Sequence, residues 1–407
     1  MSTTVAAVSP ATVEALAQTV AQCDRMGEKI WIIGGNTLAG MGLPLERPDV
    51  ALSTLQLRGV VANESADLTI SVRAGTTLQG VAVLLSAQGQ FIPFDAPHPE
   101  YATIGGTLAA GWLGPRRHRY GRLRDYLIGS TIVLADGSIA RAGGMTVKNV
   151  AGYDMSRLYV GSFGTLGVLV QANFKTVPSP GHARLFLAPL PERTRSRACA
   201  QLASLAIPPS AAFWVDGFSN AVDGEDGDDG RVAVLLEGSD ALLERATRDL
   251  RSALGRAGIP ETRVFDAGAR ESFQRIVDAY IANLGERSVT FRISSSPAEL
   301  APRALRVHEL ARRYGLRTDT IGDVMNGDIV VRVSDLDSRG LGGKIESFDD
   351  GLHEIAPGAQ VIASVHPHRV HLRVWGESPA AIEQMKALKA QFDPNRTLNA
   401  GRFVGGI

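Results

Sequence analysis

Between Pro97 and Val170 the chain repeats one texture three times. Ala102–Trp112 (ATIGGTLAAGW), Tyr120–Gly137 (YGRLRDYLIGSTIVLADG) and Lys148–Val170 (KNVAGYDMSRLYVGSFGTLGVLV) each set glycines beside small residues and apolar, strand-like runs. Glycine admits positive φ and lets backbone come close to another group. An ordinary core has no use for it at this density, and the spacing is too irregular for a low-complexity tract. The texture predicts backbone laid against a large, flat, anionic cofactor.

Bulk properties narrow the class. A length of 407 residues predicts two or three domains. Lys plus Arg and Asp plus Glu both number 42, so no basic field exists to hold nucleic acid. No apolar run approaches the ~20 residues of a membrane span, and the opening MSTTVAAVSP has no signal-peptide pattern, so a cytoplasmic protein is expected. The two cysteines, Cys23 and Cys199, rule out a disulfide framework and an iron–sulfur cluster held by four thiolates of this chain.

At the N-terminus, Ser9-Pro10 reads as a helix start. Val13, Leu16, Ala17 and Val20 form its buried stripe, and Gly27 ends it. The strand Lys29–Ile33 runs into GGNTLAGMG, Gly34–Gly42. Such a loop either presents backbone N–H groups to a phosphate or is a plain glycine-rich turn. It is neither the GxGxxG fingerprint nor a Walker loop. Short strands follow at Val50–Ser53, Gly59–Asn63 and Leu68–Arg73, then a helix at Leu78–Ala87 stopped by Gly89. This is α+β texture without βαβ alternation.

An extended loop from Pro93 leads to a helix near Gly105, with Thr103 as its cap and its first N–H groups expected to face an anion. Arg116, Arg117, His118 and Arg119 are either a solvated basic loop or contacts to a phosphate, a carboxylate or a partner. Tyr126–Ala135 and Ser138–Arg141 read as a hairpin turning at Asp136-Gly137. Lys148, Tyr153 and Asp154 lie on a loop into a short helix, and GSFGTLGVLV feeds a long strand.

The runs GGNTLAG, ATIGGTLAAG, YG…D…IGSTIVLADG, KNVAGYDMSRL and GS-x-GTLGV, in this order over about residues 1–180, resemble the FAD-binding domain of the vanillyl-alcohol-oxidase family, the PCMH-type FAD domain. The tail FDPNRTLNAGRF (Phe392–Phe403) is similar to that of its lactate and glycolate branch, and within it to the FAD-binding E subunits of bacterial three-subunit glycolate oxidases. The resemblance implies an α+β fold: a two-lobed PCMH-type FAD-binding domain (1–180), an α+β cap domain (181–385), and a tail (386–407) returning to the first. It implies that Gly34, Gly35, Asn36 and Thr37 bind the FAD pyrophosphate. Thr103, Gly105 and Gly106 would line the middle of the cofactor, Gly164, Thr165, Gly167 and Val168 would meet it near the adenine and ribose, and Leu38, Pro97 and Ile104 would contact it as well. Relatives with covalent FAD often carry His where this chain has Asn36, so non-covalent FAD is expected; His98 and His118 are the remaining attachment points. The implied partners are a related FAD-binding subunit and an iron–sulfur subunit, the implied substrate a small 2-hydroxy acid such as glycolate. The implied location is the cytoplasm, with association to the inner face of the plasma membrane through the complex.

From His182 the texture changes. Strands are expected at Arg231–Glu237, Val289–Ile293, Asp328–Val333 and Ala359–Val365, with helices near 240–257, 270–283, 298–314 and 380–391, giving a sheet covered on one face. Asp223–Gly230 reads as a hairpin tip, not a calcium loop. His366 and His368 would share a face if this run were a strand, but Pro367 interrupts it and no metal is expected. Oxidising a 2-hydroxy acid needs a cation for the carboxylate and a base for the hydroxyl. Arg116, Arg117, Arg292 and Arg373 are candidates for the first; His98, His118, Tyr280, His366 and His368 for the second. No spacing singles out a pair, so the catalytic residues stay unassigned.

Overall fold

The computed structural model describes residues 5–146, 154–218, 221, 230–259, 262–282, 287–335 and 341–407. The chain forms two compact units. The first comprises Met1–Leu113, Arg122–Ser179 and Ser378–Ile407; the second comprises Gly114–Gly121 and Pro180–Glu377. Among the described residues no helix is long and apolar enough to cross a membrane.

The first unit opens with a small parallel sheet of Ala6–Val8, Val50–Ser53 and Ile30–Ile33, with Val50–Ser53 in the centre. The helix Val13–Met26 is capped by Thr12, whose Oγ1 accepts the Ala15 N–H at 3.1 Å, and not by Ser9. Ala6–Val8 pairs with Val50–Leu52 immediately before the Ser-Pro signal, and the helix begins only after it. Gly27 closes the helix at φ +69°, as expected. The stripe Val13, Leu16, Ala17, Val20 and Cys23 packs on Ile30, Leu52, Val133, Val168 and Leu398.

A five-stranded antiparallel sheet follows, in the order Val60–Glu64, Thr69–Arg73, Val168–Lys175, Leu127–Val133, Ile139–Gly143. The strand after GTLG thus takes the central place, and its alternate residues Val168, Val170, Ala172 and Phe174 are all buried. The tail helix Ile382–Phe392 leads to Leu398, which pairs in parallel with Ile30.

The second unit is built on an eight-stranded antiparallel sheet: Arg263–Phe265, His182–Pro189, Arg231–Gly238, Ala211–Asp216, Leu316–Asp323, Asp328–Asp335, Ser288–Ser294, Gln360–Ala363. Ala211–Val215 and Val232–Glu237 are buried at every position. Successive strand residues point to opposite faces, so the sheet centre is covered on both faces, not one. His366–Arg369 is a helical turn, not a strand. Pro367 suits that geometry, since a first-turn residue has no intrahelical N–H bond to lose.

Candidate functional site

In the first unit, β-strand Ile30–Ile33 delivers the chain into the loop Gly34–Gly42 along a cleft holding about 840 Å³ of open space, mouth included. The cleft joins three segments far apart in sequence: the loop from Gly34 to Ala39, the helix Ile104–Ala110, and the turn Phe163–Gly164 with the start of the strand at Val168. Gly34, Gly35, Asn36, Thr37, Leu38, Thr103, Gly105, Gly106, Gly164, Gly167 and Val168 all line it. Pro97, Ile104 and Thr165 do not. Pro97 is buried beneath its loop, Ile104 belongs to the hydrophobic core, and Thr165 donates its hydroxyl to the Ser162 carbonyl at 2.7 Å.

Two glycines show what the texture is for. A Cβ at Gly35 would overlap the Tyr101 carbonyl oxygen, so the loop's close approach is to the protein's own backbone. Gly164 stands at φ +70°, where a Cβ would also lie 2.8 Å from Asn399 Nδ2. Left-handed backbone recurs around the cleft at non-glycine residues: Asn36 (φ 59°), Phe163 (φ 55°) and Asn399 (φ 43°). Such strain persists only where the surroundings enforce it.

The unsatisfied donors lie in the loop. Among the described residues, nothing accepts a hydrogen bond from the N–H groups of Gly34, Gly35, Asn36, Thr37 or Leu38. Five consecutive amides without partners are an anion site in waiting. The helix at Ile104 is different, and the expectation of free N–H groups there fails. Thr103 is its cap, accepting the Gly106 N–H at 3.2 Å. The Ile104 N–H, however, donates to Thr76 O at 2.9 Å and the Gly105 N–H to Ala74 O at 2.8 Å. That helix start is spent on the protein's own chain; it gives the cleft only a smooth, small-residue wall.

The tail residues Asn399 and Arg402 also line the cleft, and the sequence reading placed neither there. Asn399 accepts the Ile32 N–H at 2.8 Å through Oδ1 and donates from Nδ2 to the Phe163 carbonyl at 2.6 Å. It therefore links the strand feeding one wall to the turn forming the other. Behind it, the wholly buried Asp393 takes the N–H groups of Thr397 and Leu398, each at 2.8 Å, and pairs with Lys389 at 2.5 Å. Lys389 completes its three donors on the carbonyls of Thr165 (2.8 Å) and Leu398 (2.9 Å). Burial holds the Lys389 ammonium below its usual range, with Asp393 opposing. The FDP…LN tail fixes the cleft's geometry. Its signal was in the motif; its partners were not.

The candidate substrate cations lie in the second unit, and all four have carboxylate partners within it, three of them in buried or half-buried pairs. Arg116 Nη1 bonds Glu237 Oε1 at 3.1 Å, with the Tyr120 hydroxyl on Oε2 at 3.2 Å. Arg117 Nη2 (2.7 Å) and Arg292 Nε (3.1 Å) share Asp328 Oδ2. Asp323, 3.8 Å from Arg117 and bonded to Asn326, is pushed up to about 7 by burial. Tyr280 is buried and held well above its usual range, first by desolvation and then by Asp323 and Asp328. Arg373 bonds Asp350 at 2.7 Å on the surface. Of the histidines, His98 sits in the first unit at φ 50°, 3.7 Å from Glu100. His118 is exposed and His368 half-buried, both in the second unit. Lys148, Tyr153, the stretch 222–229 and the His366 side chain lie outside the described residues. Among the described residues no group of His, Cys, Asp and Glu could hold a metal.

Residues 5–143 match a family of FAD binding domains. With p-cresol methylhydroxylase, solved with substrate bound, the chain shares the fold at a TM-score of 0.74 and 17% identity, over 97% of this chain and 88% of that one. The fold is the PCMH-type FAD-binding fold. Its cofactor is FAD, and the cleft suits it: among the described residues it offers unpartnered amides for an anion and small-residue walls for flat rings. Glycolate oxidase subunit GlcE of Escherichia coli is 35% identical over 241 residues, which span 58% of this chain and only 63% of that subunit. Glycolate oxidase subunit GlcD of Bacillus subtilis is 27% identical over 91% of this chain and 82% of its own length. A D-lactate dehydrogenase of Archaeoglobus fulgidus is 29% identical over 91% and 84%.

Proposed function

We propose that this chain is the FAD-binding subunit of a glycolate-oxidase-type complex, oxidising a small 2-hydroxy acid to a 2-oxo acid. The observation that carries it is the run of unpartnered amides at Gly34–Leu38 beside a cleft walled by small residues, in a chain similar to two glycolate oxidase subunits. Gly34, Gly35, Asn36, Thr37 and Leu38 would hold the pyrophosphate through main-chain N–H groups. Thr103, Gly105 and Gly106 would flank the middle of the cofactor, and Gly164, Gly167 and Val168 its adenine end. When bound, FAD takes the two electrons that leave the alcohol carbon. Among the described residues the cleft lining contains no His, Cys or Tyr to form a covalent bond to flavin, which supports a non-covalently held cofactor. Both cysteines are buried, and burial raises both thiols, Cys23 to about 11 and Cys199 to about 12. Neither cysteine is therefore placed to take electrons from the flavin, which supports a partner chain as the acceptor, with an iron–sulfur protein as the fitting class.

A second reading, a self-sufficient 2-hydroxy-acid dehydrogenase, is favoured by the similarity to D-lactate dehydrogenase over nearly the whole chain. One experiment separates them. The chain purified alone is examined by visible absorption, before and after acid precipitation, and then offered glycolate, D-lactate or D-2-hydroxyglutarate with a dye acceptor. Flavin released to the supernatant with no dye reduction supports the subunit; dye reduction by the isolated chain supports the dehydrogenase. A colourless chain that takes up no added FAD overturns both.

A further inference from the structure

We infer that Arg402 is the cofactor's charge partner: its guanidinium faces the FAD pyrophosphate across the Gly34–Gly42 loop. The inference rests on the FAD reading above. Among the described residues lining the cleft, Arg402 is the one with an ionisable side chain. The other walls are glycine, alanine, threonine, asparagine and apolar side chains, yet the pyrophosphate brings two negative charges. Amide dipoles offset part of that charge; a fixed cation in the same cleft offsets more, because a charge-assisted contact is stronger than a neutral one.

The position of Arg402 is set by the loop itself. Nη2 donates to the Ala39 carbonyl at 2.8 Å and Nη1 to the Leu43 carbonyl at 3.4 Å. The backbone is tied as well: the Leu43 N–H donates to Arg402 O at 3.0 Å and the Arg402 N–H to Asn399 O at 3.1 Å. Gly42, at φ +76°, lies against the side chain, where a Cβ would come within 3.2 Å of Nε. The side chain therefore runs along the anion loop and cannot swing away without breaking these contacts. A planar guanidinium has five donors, enough to grip loop carbonyls on one edge and a phosphate oxygen on another.

The test compares FAD dissociation constants, read from flavin fluorescence, for the full chain and for Arg402→Gln, Arg402→Lys and Arg396→Gln. Arg396 is a tail residue that pairs with Glu46 at 2.7 Å and does not line the cleft, so it reports on tail disturbance alone. A lost charge-assisted contact predicts an affinity about 10- to 100-fold weaker in Arg402→Gln. Arg402→Lys should recover much of it, and Arg396→Gln should match the unaltered chain. NaCl should weaken FAD binding to the unaltered chain and less so to Arg402→Gln, while leaving binding of riboflavin, which has no phosphate, unmoved. Equal weakening in Arg402→Gln and Arg396→Gln, or the same affinity in Arg402→Gln as in the unaltered chain, overturns the assignment. If Arg402→Gln does not fold, a salt-insensitive FAD affinity in the unaltered chain does the same. An unaltered chain that binds no FAD defeats the reading beneath it instead.

Discussion

The cleft of the first unit and the interior of the second are both organised by polar groups, but in opposite ways. Around the cleft, among the described residues, five consecutive N–H groups have no partner and the walls hold a single cation. In the second unit, Arg116, Arg117 and Arg292 are drawn into a buried lattice with Glu237, Asp323 and Asp328. Unsatisfied backbone is costly and persists where a ligand completes it. Paired buried charge is self-sufficient and holds strands in register. The contrast separates a surface with hydrogen-bond donors to spare from an interior whose charges are matched within it. It also shows why arginine, the residue that first draws attention in a search for an acid's binding site, is here mainly internal mortar, while the binding loop is nearly featureless in side-chain chemistry.

Substitutions in the two regions should therefore fail differently. The largest effect is expected at Gly35→Val: the side chain would be driven into the Tyr101 carbonyl, displacing the loop, and flavin content should fall to nothing. A variant purified with full flavin would show that the loop is not the cofactor's seat. In the second unit, Asp328→Asn leaves Arg117 and Arg292 facing each other without the carboxylate they share. Breaking a buried pair costs about 3–5 kcal/mol, so urea unfolding should shift by that order while flavin stoichiometry of the folded fraction stays intact. Loss of flavin in step with stability would erase the distinction between the two regions.

How far the sequence announces each region follows from the range of the interactions. Local signals were legible: Gly27 as a helix stop, Thr103 as a cap and the hairpin at Asp136-Gly137. Of the fourteen residues expected from the family resemblance, eleven line one cleft. What was missed depends on partners distant in sequence. Leu316–Asp323 (LRTDTIGD) looks too polar for a central strand, yet Asp319 is buried because Arg332 meets it at 2.5 Å. The helix Gly342–Ile355 starts on two glycines, poor helix formers. Asn399 and Arg402 are polar tail residues until Phe163 and Ala39, more than two hundred residues away, are placed beside them. Even the free helix N-terminus expected at Ile104 depended on local reasoning alone, and Thr76 and Ala74 took its donors.

The smallest expected effect sharpens the comparison through pH. Two groups of the second unit, the buried Asp323 and the half-buried His308, titrate out of their usual range in opposite senses. Asp323, raised to about 7 by burial, keeps its proton in the folded chain where the unfolded chain has lost it above about pH 4. Its contribution to stability therefore falls as pH rises from about 4 to about 7. His308 shares a 2.7 Å hydrogen bond with Thr320, and desolvation, aided by Arg195 and Arg312, lowers it to about 4. The folded chain keeps it neutral while the unfolded chain binds a proton below about pH 6.5, so its contribution rises over the same interval. Between about pH 4 and 6.5 the two slopes, each worth one proton, nearly cancel. Asp323→Asn removes one of them. The unfolding midpoint of that variant should then climb with pH from about 4 to 6.5 and level off, while flavin affinity at neutral pH is untouched. A profile parallel to that of the unaltered chain would mean that Asp323 is ionised in the folded state across the interval, and that its contact with Arg117 outweighs its burial.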